Sequence, residues 1–190
     1  MTQTEPTDED LWAAVAAGDE AAFGTLFDRH SRAVYNHAFR LCGSWSVAED
    51  TTQATFLTAW RKRGTVELVH GTALPWLLVV GGNCARTEWR SARRLRALLG
   101  RIPAEHDPDP ADDVVGRLDD ERAMGRVLAA VRRLPRAERE AVALCLWSGV
   151  GYPEAAAALG VTEVAVRSRV SRARARLSKL LGATPTEEQR

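Results

Sequence analysis

The chain has 190 residues, 45% of them hydrophobic, and a formal net charge of +1, enough for one medium domain or two small ones with a buried core. Its three cysteines, Cys42, Cys84 and Cys145, stand far apart without a CxxC pair, which argues against a disulfide framework or zinc site and fits a reducing cytosol. The N-terminus "MTQTEPTDED" is unlike a signal peptide and the longest apolar run, "ALPWLLVVGG", is too short to span a bilayer, so a soluble, cytoplasmic protein is expected.

Apolar residues recur every three or four positions, and strand signals are scarce, so the fold class read here is all-α. Four helices are expected between Asp8 and about Leu99. The first, "DEDLWAAVAAG", ends at Gly18. The second, "EAAFGTLFDRHSRAVYNHAFRLCG", ends at Gly43. The third, "SVAEDTTQATFLTAWRKRG", carries Ser46 with Glu49 three residues on, the spacing of a capping box, and stops at Gly64. The fourth opens with Pro75 in its first turn and runs through "WLLVVGGNCARTEWRSARRLRALL". These make a helical domain over 8–100. Residues 101–117 are rich in proline and acid, and are expected to be a flexible acidic linker. Helices return over 118–181 as "DDERAMGRVLAAVRRL", "RAEREAVALCLWSG", "PEAAAALG" and "TEVAVRSRVSRARARLSKLLG", followed by a frayed tail at 182–190. The layout is two helical domains on a tether.

The near-zero net charge hides a segregation: the N-terminus and linker are acidic, whereas the ends of the fourth and last helices are basic. "GYPEAAAALGVTEVAVRSRV" has the form of a helix-turn-helix, with a turn at Gly160 and a cap at Thr162. On a helical wheel Val166, Val170, Ala173 and Leu177 form a core seam. Arg167, Ser168, Ser171 and Arg172 fall opposite, as side chains suited to base edges in a major groove. Arg169, Arg174 and Arg176 flank them at phosphate height, and Tyr152 can bond another phosphate. The plain alternative is a solvated arginine face. It would be expected to mix in acids for pairing, yet the last helix carries Glu163 alone.

In the first domain, Gln53, Phe56 and Trp60 share a stripe on the third helix, with Asp50 outside it. Such a surface suits a protein contact, or else is a core stripe beside solvated polar residues. Arg61, Lys62 and Arg63 open a basic loop. Asn83, Arg86 and Arg90 recur along one face of the fourth helix, a combination suited to single-stranded DNA and extruded bases. Gly81-Gly82 costs about 1 kcal/mol per glycine relative to alanine in a helix; it either permits close backbone approach or is simply tolerated.

Together these motifs resemble those of an extracytoplasmic-function (ECF) sigma factor of the sigma-70 family, over roughly residues 10 to 181. "AEDTTQATFLTAW" is similar to region 2.2, "PWLLVVGGNCARTEWRSARR" to regions 2.3 and 2.4, and "LPRAEREAVALCLWSGVGYPEAAAALGVTEVAVRSRVSRARARL" to region 4. The sequence departs from the family pattern at Val80-Gly81-Gly82, Thr87, Pro153 and Val164-Ala165. The resemblance implies that Asp50, Gln53, Phe56 and Trp60 hold core RNA polymerase. It implies that Arg61, Lys62, Arg63, Asn83, Arg86 and Arg90 bind and melt the −10 element of promoter DNA. It assigns Arg167, Ser168, Ser171, Arg172, Arg174, Arg176 and Tyr152 to the −35 duplex. An anti-sigma factor that clamps the two domains is implied by the family alone. Such a protein is cytoplasmic and nucleoid-associated, with no membrane insertion. The four histidines, His30, His37, His70 and His106, have no metal-ligand spacing, and no nucleophile–base–acid set is visible. No cofactor, metal or catalytic residue is therefore expected, and the chain is read as not an enzyme. The rival readings are a stand-alone helix-turn-helix regulator and a protein-binding relative that never reaches promoters.

Overall fold

The computed structural model describes residues 5–68, 70–98, 125 and 127–182, with positions 88–98 and 182 described as backbone only. The described residues are helical, without strands: α1 (Asp8–Ala16), α2 (Glu20–Cys42), α3 (Trp45–Lys62), α4 (Leu74–Leu98), α5 (127–132), α6 (Arg136–Val142), α7 (Tyr152–Leu159) and α8 (Glu163–Gly182). The expected linker at 101–117 and almost all of the tail at 182–190 lie outside them.

α1 lies across the α2–α4 bundle and is fastened to it by one carboxylate. Asp8 accepts hydrogen bonds from the Ala73 amide at 2.9 Å, the Thr72 hydroxyl at 3.1 Å and His30 Nε2 at 2.7 Å, and pairs with Arg29 at 2.7 Å. Burial alone would push its pKa up. The Ala73 amide, Arg29 and His30 together outweigh burial and hold it below the ordinary value. Nearby, Trp12 donates to the Val66 carbonyl and sets its ring edge-on to Trp76. Trp12 thereby ties the end of α3 to the start of α4, and those two helices run antiparallel.

The predicted cap of the third helix is corrected. α3 begins two residues earlier, with Ser44 as N-cap and no side-chain capping bond, so Ser46 and Glu49 do not form a capping box. Trp45 explains the early start: its ring stacks on Phe39 at 4.0 Å and packs near Tyr35, and that burial outweighs a local cap worth about 1 kcal/mol. A capping box does occur, at Thr7 and Asp10 of α1. Thr162 caps α8 as expected, accepting from the Ala165 amide at 3.2 Å.

Of the glycine pair, Gly81 is the close approach. A Cβ there would sit 3.3 Å from the Thr55 hydroxyl, whereas one at Gly82 would meet ordinary contacts at 3.8 Å and beyond. The expected helix "RAEREAVALCLWSG" is α6 continued by a π-helical turn over Ala143–Trp147. The wider turn delivers the Trp147 carbonyl and the Ser148 hydroxyl to α2, where Arg40 donates to the first and His37 bonds the second at 2.7 Å. The two domains therefore touch. One core runs from Leu26, Leu77 and Leu78 into Leu144, Val150 and Ala155.

Candidate nucleic-acid interface and docking groove

α8 is seated by its apolar seam. Val166, Val170 and Ala173 are buried, and Leu177 packs on the cluster of Val131, Leu134 and Val142. That seam turns Arg167, Ser171, Arg172, Arg174 and Arg176 to the exposed face; Arg169 is half-buried, and so is Ser168, which the wheel had placed opposite the seam. The structure adds partners that the sequence did not show. Arg167 pairs with Glu163 at 2.5 Å and lies over the Tyr152 ring at 5.0 Å from its centroid. Arg172 donates to the Ser168 hydroxyl at 2.5 Å. Arg172 and Arg176 both meet Glu138 of α6, at 3.4 and 3.2 Å. An acid from a neighbouring helix thus does part of the pairing that α8 itself lacks.

The residues expected at the −10 element are only partly brought together. Arg61 and Lys62 are exposed at the end of α3. Arg63 folds back instead, with its guanidinium 4.2 Å from the Trp60 ring centroid and a bond to the Trp60 carbonyl at 2.8 Å. Asn83 lies seven residues past Trp76, about 10 Å further along the antiparallel α4. It forms one cluster with Arg86, which donates to its side chain and pairs with Glu140 of α6 at 2.8 Å. Burial pulls Arg86 below its usual pKa, against the attraction of Glu140. The Arg90 side chain lies outside the described residues.

The stripe on α3 divides. Phe56 is 4% exposed and belongs to the core. Its ring lies under Phe23 and Phe27 of α2, at 6.2 and 4.7 Å. Gln53 and Asp50 are exposed, and Trp60 is half-buried. Glu20, Phe23, Phe27, Gln53, Leu57 and Trp60 line an open groove between α2 and α3. Phe27 is 40% exposed and Leu57 56%, unusual exposure for large apolar side chains lying together. Asp50 does not line this groove. Sequence reasoning missed Phe23, Phe27 and Leu57. The signal was present in α2, where two phenylalanines four residues apart sit beside a separate core stripe of Ala22, Leu26 and Val34.

Comparison with known proteins assigns the family. Residues 26–95 match "Sigma-70 region 2" and residues 124–177 match "Sigma-70, region 4". The chain belongs to the sigma-70 family, as an ECF-type RNA polymerase sigma factor. It is 36% identical to RNA polymerase sigma factor NccH of Alcaligenes xylosoxydans xylosoxydans, over 94% of this chain and 97% of that one. It is 35% identical to ECF RNA polymerase sigma factor SigE of Mycolicibacterium smegmatis, over 96% of this chain and 72% of that one. The structure of CnrH in complex with the cytosolic domain of CnrY superposes with a TM-score of 0.69 at 30% identity, covering 94% of this chain and 99% of that one. Phe27, Gln53, Leu57 and Trp60 of the groove lie within the region 2 match, and the arginine face of α8 within the region 4 match. Their contact brings Glu140 of region 4 against Arg86 of region 2.

Proposed function

We propose that this sigma factor docks on core RNA polymerase through the exposed groove between α2 and α3 and carries promoter specificity to it. In this reading Phe27, Leu57 and Trp60 make the apolar contact, Gln53 adds a polar contact at its edge and Asp50 one outside the groove, and Phe56 supports the groove from beneath. Arg167, Ser168, Ser171 and Arg172 read the −35 duplex; Arg174, Arg176 and Tyr152 hold its phosphates. Asn83, Arg86 and Arg90 engage the −10 strand, with Arg61 and Lys62 supplying charge at a second point and Arg63 holding Trp60. Region 2 occupies 8–100, the acidic linker 101–117 and region 4 118–181. The chain itself performs no covalent chemistry; polymerisation belongs to its partner. It acts in the cytoplasm, on the nucleoid. An anti-sigma protein is a further partner in this reading, supported by the likeness to the sigma factor RpoE held with the anti-sigma factor NepR from Bartonella quintana.

The observation that carries the reading is the presence in one chain of an exposed apolar groove and an exposed arginine helix, each held by its own buried seam. The test is co-elution of the full chain with core RNA polymerase on size exclusion. Wild type is expected to co-elute. Leu57→Asp, which places a charge on an exposed position and leaves the core alone, is expected to weaken binding at least tenfold, and Asp50→Ala with Gln53→Ala to weaken it less. A folded wild-type chain that never co-elutes refutes the proposal and favours a stand-alone regulator.

A further inference from the structure

Glu138 is an unexpected place for a charge. It stands in the first turn of α6, 4% exposed, where α6 packs against α8. Burying a carboxylate is costly unless it is paired, and its partners are two arginines one turn apart on α8, Arg172 and Arg176. Arg172 donates through Nε to one carboxylate oxygen at 3.4 Å, whereas Arg176 Nε stands 3.2 Å from the other as an ion pair without a directed hydrogen bond; each arginine remains 55% exposed. A guanidinium has its donors in a rigid fork. On Arg172 the carboxylate takes the Nε edge, which leaves its terminal amino groups free for other acceptors. One of them, on Arg172, is steadied further by Ser168.

We propose that Glu138 is a positioning residue for sequence readout, holding Arg172 in the orientation in which it meets DNA, with Arg176 as a second counter-charge. The proposal rests on the −35 reading given above. Freezing a free arginine at an interface costs about a factor of 2 to 12 in affinity, and Glu138 removes part of that cost before DNA arrives. Its negative charge also subtracts from the general attraction to phosphates. The two effects act on different quantities. Orientation matters where the fork must match a base edge or one phosphate, whereas attraction to any duplex follows charge alone. Glu138 therefore raises the ratio of specific to non-specific binding while lowering non-specific binding itself.

The test uses the full chain assembled with core RNA polymerase. A duplex is selected by the wild-type assembly from a library randomised over one helical turn. Affinities for that duplex and for a scrambled duplex of equal composition are measured between about 50 and 200 mM salt. Glu138→Gln is expected to bind the scrambled duplex as tightly as wild type or more tightly, with a steeper salt slope, and to lose about 3- to 10-fold in the selected-to-scrambled ratio. Arg172→Lys, an exposed change that keeps the charge and removes the fork, is expected to lower the same ratio. The double variant is expected to lose less than the product of the two single losses. Equal loss on both duplexes, or an unchanged ratio in folded Glu138→Gln, overturns the proposal; if that variant does not fold, an unchanged ratio in Arg172→Lys overturns it. A wild-type assembly that selects no sequence refutes instead the −35 reading beneath it.

Discussion

Acid should loosen the contact between the two regions through His37. This ring is buried at the seam, bonded to Ser148 at 2.7 Å. Its pKa is lowered from 6.5 to about 4, first by burial and then by Arg40 on the same helix, against the favourable Ala143 carbonyl. A histidine depressed in the packed state takes up its proton more readily when the packing opens. The stability it protects is therefore complete above pH 6.5 and lost as pH falls toward 4. Two and a half pH units correspond to about 3 kcal/mol in full, of which about 2 kcal/mol disappears between pH 7 and pH 5. Urea unfolding followed by tryptophan fluorescence checks this in wild type and His37→Gln, a variant that keeps a polar partner for Ser148 and cannot titrate. The stability gap between the two proteins should shift by about 2 kcal/mol against wild type between pH 7 and pH 5. A gap constant across that range would refute the assignment. Asp8, whose pKa is held below 3.8, loses its contribution at lower pH and leaves this window clear.

Four further outcomes follow from the packing. Asp8→Asn leaves Arg29 without its counter-charge and weakens the tie to Ala73 and Thr72; a loss of about 3 kcal/mol is expected by denaturant titration. Gly82→Ala should stabilise by up to about 1 kcal/mol, since its Cβ meets only ordinary contacts, whereas Gly81→Val should destabilise by about 1–3 kcal/mol through crowding against Thr55. Gly43→Ala should cost at least about 1 kcal/mol in thermal or urea melts, because Gly43 ends α2 at φ 72° and its Cβ would collide with Leu128.

Helical class and the face of α8 were readable because they depend on period: Val166, Val170 and Ala173 recur at helical spacing, and their burial turns the arginine face outward. The start of α3 was not, since Ser46 and Glu49 show a local pattern while the decision lies with Trp45, Phe39 and Tyr35 brought together in space. The same limit hid Glu138 and Glu140. Both look like solvated helix acids in the sequence, and only packing places them against Arg172, Arg176 and Arg86. Spacing put Phe56 on one stripe with Gln53 and Trp60, but it cannot show that Phe23 and Phe27 cover Phe56 and leave it in the core.

The most direct test of the account is initiation itself. Core RNA polymerase is given a pool of random-sequence linear templates with and without this chain, and transcript 5′ ends are mapped. Start sites are expected to depend on the chain and to lie downstream of two fixed sequence elements. Changing Arg167 and Arg172 should alter the upstream element only, and changing Asn83 and Arg86 the downstream one only. A folded chain that binds the polymerase yet yields no chain-dependent start sites would contradict it.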